Sequence, residues 1–323
     1  MRSRTKNILL DFDLFDESTI TEKLRKSARI PPGSPVVLGI GDDCAIYRPR
    51  GSADDLLFTC DLLIEGAHFL RETHSTADLG RKALARGLSD IAAMGGTPRF
   101  CLVALCLPPW AKGPTWADRF FGGLLKLADT SGTVLAGGDL SHGEKFACDI
   151  TVCGAVPRGT ALRRDGARAG HDIYVSGTLG GSALGLETGK GKAFRRWLRP
   201  EPRLALGQFL RDRLGATAAM DLSDGLSLDL HRLCLASGVA AEITAPPRFP
   251  GASRAQSLHG GEDYELLFTV RTGTRVPEQF GGVHLTRIGV IVRGLSGAVR
   301  LDGEALAPLG YDHFAARRDE VRS

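Results

Sequence analysis

The order of apolar and polar residues predicts that strands and helices follow one another closely in the first half of the chain. Short apolar runs predict strands at residues 36–38, 56–64, 100–107, 134–136 and 148–156. Apolar residues at helical spacing predict helices at residues 16–29, 78–94 and 117–128. Ser75 and Asp78 have capping-box spacing at the start of the second helix, and Gly95 and Gly96 end it.

The second half repeats this mixture of elements without repeating the sequence. Apolar runs predict strands at residues 173–176 and 264–270, and helical spacing predicts helices at residues 202–214 and 226–236. A chain of 323 residues has room for two domains of ordinary size. We therefore expect a mixed α/β (α+β) fold with an N-terminal domain at residues 1–157 and a C-terminal domain at residues 158–323.

Composition and charge exclude several classes of protein. Apolar residues make up 43% of the chain and charged residues 24%, which is normal for a soluble globular protein. A formal net charge of +4 is small for this length and argues against a nucleic-acid partner. No apolar run approaches 18 residues, so we expect no membrane partner. The seven cysteines include no C-x-x-C motif, and with no signal peptide they indicate a cytoplasmic protein.

The first candidate for chemistry is the segment GIGDDCA at residues 39–45, which follows an apolar run. Glycines at positions 39 and 41 allow a sharp turn and a close approach to a ligand. Asp42 and Asp43 then present short carboxylates, which are hard oxygen ligands suited to Mg²⁺ or Ca²⁺. Taken alone, the segment is equally consistent with an aspartate-rich turn.

The same device recurs along the chain. Aspartates at the ends of predicted elements or beside glycines include Asp43, Asp61, Asp90, Asp139, Asp221 and Asp224. Converging carboxylates repel one another unless cations neutralise them. Several Mg²⁺ ions bridging these aspartates to a polyphosphate would supply that neutralisation. The alternative is that they are unrelated aspartates in surface loops.

The ordered motifs resemble those of the thiamine-monophosphate kinase family. They are GIGDD at 39–43, TCDLLIEGAHF at 59–69, LSDIAAMG at 88–95, GGD at 137–139, ALRRDGA at 161–167, DLSDGL at 221–226, GGEDYEL at 260–266 and GYDHF at 310–314. The resemblance implies the two-domain architecture of aminoimidazole ribonucleotide synthetase and selenophosphate synthetase. It also implies that the N-terminal domain pairs in a homodimer.

The resemblance further implies a set of functional residues. The Mg²⁺ ligands would be Asp43, Thr59, Cys60, Asp61, Asp90, Asp139, Asp221 and Asp224. The residues that bind ATP, the co-substrate, would be Phe100, Gly138, Asp139, Arg164 and Ser223, with Asp139 and Arg164 acting in catalysis. Thiamine monophosphate would contact His68, Glu262 and Tyr311. The chemistry of these side chains agrees with such roles, since a guanidinium donates to phosphate oxygens and a carboxylate or an aromatic ring attracts a cation.

Three positions depart from the family pattern. Cys60 replaces a threonine, and the substitution has no effect on Mg²⁺ if the contact is made by the backbone carbonyl but weakens binding if it is made by the hydroxyl. Gly87 replaces an asparagine beside Asp90. Pro308 and Leu309 stand where the family often has tryptophan.

The expected function is ATP-dependent phosphorylation of thiamine monophosphate to thiamine diphosphate by direct in-line transfer with Mg²⁺. One alternative is another ATP-using enzyme of the same architecture, such as an aminoimidazole ribonucleotide synthetase. The other is a non-catalytic nucleotide-binding homologue, an alternative suggested by Cys60 and Gly87. The intact set of aspartates argues against the loss of catalysis.

Overall fold

The computed structural model describes residues 17–28 and 30–311. The predicted helix at residues 16–29 therefore extends outside the described residues at both ends, as does the GYDHF motif beyond Tyr311. The helices are α1 (Glu17–Ser27), α2 (Thr76–Ala93), α3 (Pro114–Ser131), α4 (Gly181–Thr188), α5 (Gly191–Leu198), α6 (Leu204–Phe209), α7 (Leu226–Ser237) and α8 (Arg254–His259). In the described ranges, no helix is both long enough and apolar enough to cross a bilayer.

The strands form two sheets. Those of the first sheet are β1 (Val36–Leu38), β2 (Ala45–Tyr47), β3 (Asp54–Ile64), β4 (Thr97–Leu107), β5 (Val134–His142) and β6 (Ala147–Pro157). Those of the second are β7 (Asp172–Ser176), β8 (Ala218–Asp221), β9 (Ala240–Ile243), β10 (Leu266–Val270), β11 (Gln279–Phe280), β12 (Val283–Val292), β13 (Val299–Leu301) and β14 (Glu304–Ala305). The predicted mixture of strands and helices is thus confirmed.

The first sheet has the strand order β1-β2-β3-β6-β4-β5 and packs one face against α2 and α3. The predicted start of α2 is confirmed, because the Ser75 side chain accepts a hydrogen bond from the backbone N–H of Asp78. Gly87 has a packing reason, since a Cβ there would lie 2.7 Å from Cγ2 of Val152 on β6. The helix can therefore lie closer to the sheet than an asparagine at position 87 would allow.

The other face of the first sheet is open in the described part of the chain. One row of side chains crosses it from β3 to β5, since Leu62 pairs with Asp149, Asp149 with Ala104, and Ala104 with Asp139. Leu62 is 48% exposed, and the neighbouring Leu102 is 39% exposed. This row, with Leu102, is called the outer face below. Exposed apolar side chains that lie together on one face of a sheet are a feature of protein interfaces.

The second sheet has the strand order β14-β13-β9-β12-β7-β10-β8, and β11 pairs with β12. One of its faces packs against α7 and α8. The opposite face packs against α6 and the last turn of α2, through residues that include Phe268, Leu206 and Ala93. Helix α2 therefore contacts both sheets through the side chains of its last turns.

Three sequence-based boundaries need correction. The glycines at 137 and 138 do not end a strand, because β5 continues through Asp139 to His142. The helix predicted at residues 202–214 is α6 followed by a π-helical segment, Leu210–Leu214. Strand β10 begins at Leu266 and not at Tyr264, because Tyr264 has the left-handed φ of 51°.

Candidate active site

A cavity of about 580 Å³ is lined by residues of both halves of the chain. The first half contributes the turn at Asp42 and Asp43, the middle of β3, the loop after β3 and the last turns of α2. The second half contributes Arg164, the end of β8 with the loop after it, and the loop before β10. Loops at strand ends, held by a rigid helix between two sheets, are a common framework for a functional site.

Three carboxylates meet inside this cavity. Asp43 follows β1, Asp90 lies in the last turn of α2, and Asp221 ends β8. One carboxylate oxygen from each lies within 4.8 Å of those from the other two. The sequence predicts this convergence, and the three residues are called the aspartate trio below.

The negative charges of the aspartate trio repel one another. Burial, and then the charge of Asp43, raises the pKa of Asp221 to about 7. Burial, and then the charge of Asp221, raises the pKa of Asp90 well above its usual range. Hydroxyl groups partly relieve the repulsion: Ser89 donates to Asp221 at 2.5 Å, and Thr59 donates to Asp90. A cation bound among the three would favour their ionised forms.

Arginine side chains donate hydrogen bonds to three of the cavity aspartates. Arg164 donates to both oxygens of Asp43, at 2.6 Å from Nη2 and 3.3 Å from Nε. Arg86 donates from Nη2 to Asp61 at 2.7 Å, and Arg232 donates to Asp224. The cavity therefore holds guanidinium groups beside carboxylates, which is the combination that a metal–polyphosphate complex requires.

The donor set of the aspartate trio fits Mg²⁺. All three ligand atoms are carboxylate oxygens, which are hard ligands, and the open cavity beside them leaves room for water or phosphate oxygens. Asp61 and Asp224 line the same cavity and could hold further ions. When bound, Mg²⁺ neutralises phosphate charge and polarises a phosphoryl oxygen.

The motif GGEDYEL at 260–266 sends alternate side chains to opposite sides of its loop. Glu262 and Tyr264 line the cavity, and both have left-handed φ angles, of 63° and 51°. Asp263 points the other way and accepts hydrogen bonds from the backbone N–H groups of Gly180 and Ser182, which caps α4. Glu265 is completely buried and binds Arg196, Arg203 and Ser176. The uncommon backbone of Glu262 and Tyr264 is thus held in place by the buried anchors on either side.

The chain has clear relatives among known proteins. Residues 41–156 match the family model described as AIR synthase related protein, N-terminal domain. Thiamine-monophosphate kinase of Escherichia coli (strain K12) is 39% identical over 308 residues, covering 87% of this chain and 93% of that protein. The enzyme of Bacillus subtilis (strain 168) is 33% identical over 311 residues, covering 87% and 94%. The chain belongs to the thiamine-monophosphate kinase family.

Solved structures agree with this membership. The structure described as AaThiL complexed with AMPPCP and TMP has a TM-score of 0.81 and 32% identity, covering 92% of this chain and 97% of that one. Thiamine-monophosphate kinase from Stenotrophomonas maltophilia K279a has a TM-score of 0.73 and 38% identity, covering 88% and 95%. Hydrogenase maturation protein HypE, at 17% identity and a TM-score of 0.62, shares the fold. The expected fold class and family are confirmed.

Most residues that the family resemblance singles out line the cavity. They are Asp43, Thr59, Cys60, Asp61, His68, Asp90, Arg164, Asp221, Ser223, Asp224, Glu262 and Tyr311. Nδ1 of His68 lies 3.0 Å from the backbone N–H of Ile64 and accepts its hydrogen, so a neutral His68 ring carries its proton on Nε2. The Tyr311 backbone N–H donates to the carbonyl of Asp224 at 2.9 Å, which places the chain segment before residue 312 at the cavity.

Three predicted site residues do not line the cavity. Phe100 lies on β4, and Gly138 and Asp139 lie on β5. Gly138 is required for close packing of these strands, since a Cβ there would lie 1.8 Å from the carbonyl oxygen of Val103. Asp139 is exposed on the outer face. Their roles towards ATP and Mg²⁺ remain predictions.

The predicted site residues do not include Arg86, which lines the cavity, or Lys82, which contacts the cavity residue Glu262. Lys82 and Arg86 lie on α2 at four-residue spacing from Asp90, so one face of this helix presents Lys82, Arg86 and Asp90 in succession. The four-residue spacing of these charges along α2 is a pattern from which the sequence could have predicted that they lie together. Trp197 also lies at the cavity, but its position in a basic amphipathic helix gave no such signal.

The side chain of Cys60 faces away from the aspartate trio. Thr59 and Asp61 make contacts with α2, through Asp90 and Arg86 respectively. Cys60 lies between them on β3 and therefore points to the other face of the sheet. Its Sγ lies 3.2 Å from Oδ1 of Asp149 and 3.2 Å from Oγ1 of Thr151. This geometry favours ligation through the backbone carbonyl over ligation through the side chain.

We therefore expect Cys60→Thr to change the Mg²⁺ concentration for half-maximal rate by less than about 3-fold, because the substituted side chain lies on the opposite side of the strand. The control is Thr59→Val, which removes the hydroxyl bound to Asp90 and should raise that concentration by about 10-fold. Magnesium titrations of the initial rate measure both. A drop of 10-fold or more in the Cys60→Thr variant would contradict backbone ligation.

Proposed function

We propose that this chain transfers the γ-phosphate of ATP to the phosphate of thiamine monophosphate, producing thiamine diphosphate and ADP, and that the reaction requires Mg²⁺. The observation that carries the proposal is the cavity in which the aspartate trio lies beside Arg164. Family membership supplies the substrate, because relatives that cover most of this chain are named for it.

The charges of the cavity support the binding of a polyphosphate. In this proposal Asp43, Asp90 and Asp221 would hold Mg²⁺, which would neutralise charge on the phosphates of ATP. Binding of metal to Asp43 would free the guanidinium of Arg164, whose planar donors suit phosphate oxygens. Ser223 stands in the loop after β8, at the same end of the cavity as Asp221 and Asp224.

The acceptor end of the cavity supports the binding of thiamine monophosphate. Glu262, His68 and Tyr311 line this part of the cavity with Ala183 and Leu186, so it offers polar, aromatic and apolar surfaces together. Thiamine carries a cationic thiazolium ring and an aminopyrimidine ring, which match a carboxylate and an aromatic side chain. These assignments extend the family roles to this chain residue by residue.

The proposed reaction needs no general base. A phosphate monoester has a second pKa of about 6, so the acceptor is mostly a dianion at neutral pH and can attack directly. The carboxylates of the cavity are then available to hold metal. Positioning and charge neutralisation carry the catalysis, as they do for phosphoryl transfer in general.

The proposal is tested by incubating the purified protein with ATP, thiamine monophosphate and Mg²⁺ and separating the products. Formation of thiamine diphosphate and ADP in equal amounts is the expected result, and omission of Mg²⁺ should abolish it. Binding of ATP without formation of thiamine diphosphate would instead support the non-catalytic homologue. Turnover of ATP that requires a different acceptor would support another enzyme of this architecture.

We also propose that the outer face pairs with the same face of a second copy. The proposed division between the two domains lies near residue 157. The exposed leucines of the outer face support this, because a second copy would remove them from water. Such pairing would bring Asp139 into the interface. Asp139 of each subunit does not line the cavity of that subunit. In the dimer it could reach the cavity of the other subunit.

Leu102→Asp is expected to convert a dimer to a monomer at micromolar concentration, because the interface would bury the introduced charge without a partner. The matched control is Leu125→Asp on α3, at a similar exposure of 41% but away from the outer face. Light scattering gives the mass of each variant. A monomeric unsubstituted protein, or equal masses for both variants, would contradict the proposed interface.

A cytoplasmic location is part of the same proposal. All seven cysteines are free thiols. Free thiols in this number are typical of a reducing compartment.

A further inference from the structure

One lysine of α2 is completely buried beside the cavity, in contact with a residue that lines it. The side chain of Lys82 is 0% exposed. Burial lowers its pKa, while the adjacent Glu262 opposes that shift. A buried ammonium group is costly unless its donors find partners. Its surroundings therefore need an explanation that ordinary core packing does not supply.

The first partner of Lys82 is Glu262, which comes from the other half of the chain. Lys82 Nζ lies 3.1 Å from Oε1 and 3.1 Å from Oε2 of Glu262. The indole Nε1 of Trp197 donates to the same Oε2 at 2.5 Å. Both groups hold a carboxylate whose own backbone has a left-handed φ of 63°. Glu262 is thus fixed at both its side chain and its main chain.

The remaining contacts of Lys82 lie in the first half of the chain and on Trp197. Its Nζ donates to the backbone carbonyl of His68 at 3.4 Å, in the loop that follows β3. It also lies 4.6 Å from the centroid of the Trp197 ring, which is within range of a cation–π interaction. Against the same indole ring packs His74, with centroids 4.5 Å apart. A single ammonium group thus joins two loops that line the cavity.

We propose that Lys82 is a positioning residue for thiamine monophosphate and that it acts through Glu262. Lys82 and Trp197 hold the Glu262 carboxylate in one orientation, and the backbone carbonyl of His68 accepts a further hydrogen bond from the Lys82 ammonium group. The inference rests on the proposed function, because Glu262 and His68 are its substrate residues. Lys82 makes no contact with the aspartate trio in the described residues, so its role is separate from metal and ATP binding.

Lys82→Met tests this role, because methionine keeps much of the length and removes the charge. The KM for thiamine monophosphate should rise by about 10-fold or more, the size expected when a hydrogen bond to a charged group is lost. The KM for ATP should change by less than about 2-fold. The control is Arg81→Met, the adjacent cation on α2, which faces a different groove and should leave both constants unchanged.

A second variant keeps the test valid if Lys82→Met does not fold. Trp197→Phe retains a ring beside Lys82 but removes the indole N–H that donates to Glu262. It should raise the KM for thiamine monophosphate by about 3-fold to 10-fold and leave the KM for ATP unchanged. Thermal unfolding of each variant shows that the fold is retained.

A double-mutant cycle separates an action through Glu262 from an independent one. If Lys82 acts through Glu262, Lys82→Met should have less than about a 2-fold effect on KM in a Glu262→Gln background. The inference would be overturned if the effects of the two substitutions on the KM for thiamine monophosphate multiplied. An unchanged or lower KM for thiamine monophosphate in folded Lys82→Met would also overturn it. If the unsubstituted protein itself forms no thiamine diphosphate, the proposed function fails, and that result is distinct from both.

Discussion

Asp221→Asn is expected to lower turnover by about 10³-fold at saturating ATP and thiamine monophosphate, the upper range for loss of one preorganised electrostatic contact. Asp221 ends β8, the last strand of the second sheet, and is 2% exposed, so its carboxylate is held firmly within the aspartate trio. Asparagine has nearly the same shape and can still accept the hydrogen bond from Ser89. The change therefore removes a charge without removing a packing contact.

The loss should appear in metal binding as well as in rate. Binding of Mn²⁺ in place of Mg²⁺, followed by electron paramagnetic resonance, reports the site without turnover. The control is Asp172→Asn on β7, an aspartate that pairs with Arg287 and does not line the cavity. Asp172→Asn should bind metal and turn over normally. Normal metal affinity in folded Asp221→Asn would remove Asp221 from the metal site.

Local patterns in the sequence carried much of the fold. The ends of α2 follow from the cap at Ser75 and from Gly95 and Gly96, which are short-range signals. The convergence of Asp43, Asp90 and Asp221 could be expected because each follows or ends an apolar element. Such signals are contained within a few residues, so a single sequence shows them.

Other features depend on contacts between distant segments, which a single sequence does not show. Lys82 and Glu262 form an ion pair although 180 residues separate them in the sequence. No residue near either one in the sequence indicates that they pair. Asp263 and Glu265 are in a motif that was noticed for Glu262, yet they cap α4 and anchor Arg203. The motif therefore contains both residues that line the cavity and residues that hold the loop in place. Only the alternation of side chains distinguishes the two groups.

The predicted secondary structure around Asp139 is wrong, because Asp139 lies within β5 and not after a strand. The predicted strand ends before the two glycines, whereas Gly138 allows β5 to lie close to β4. The strand continues, and its pairing with Ala104 places Asp139 on the outer face. A second subunit that completes the site, as proposed above, would reconcile the predicted role of Asp139 with its exposed position outside the cavity.

Asp139→Asn is accordingly expected to abolish nearly all turnover, by about 10²-fold to 10³-fold, while leaving the fold and the mass of the dimer unchanged. The side chain is exposed, so it has little packing role, and asparagine keeps its size. The proposed cause is loss of a charged contact to the metal–ATP complex in the partner's cavity. Near-normal turnover of the folded dimer would remove Asp139 from the site.

Mixed dimers decide whether Asp139 acts across the interface. Asp139→Asn and Asp221→Asn subunits carrying different tags can be expressed together, and dimers with both tags can be isolated. If each cavity combines Asp221 of one subunit with Asp139 of the other, a mixed dimer has one cavity with both changes and one with neither. It should then recover about half of the activity of the unsubstituted dimer, although each parent is inactive. If both residues serve the same subunit's cavity, every cavity of the mixed dimer carries one change, and no activity returns.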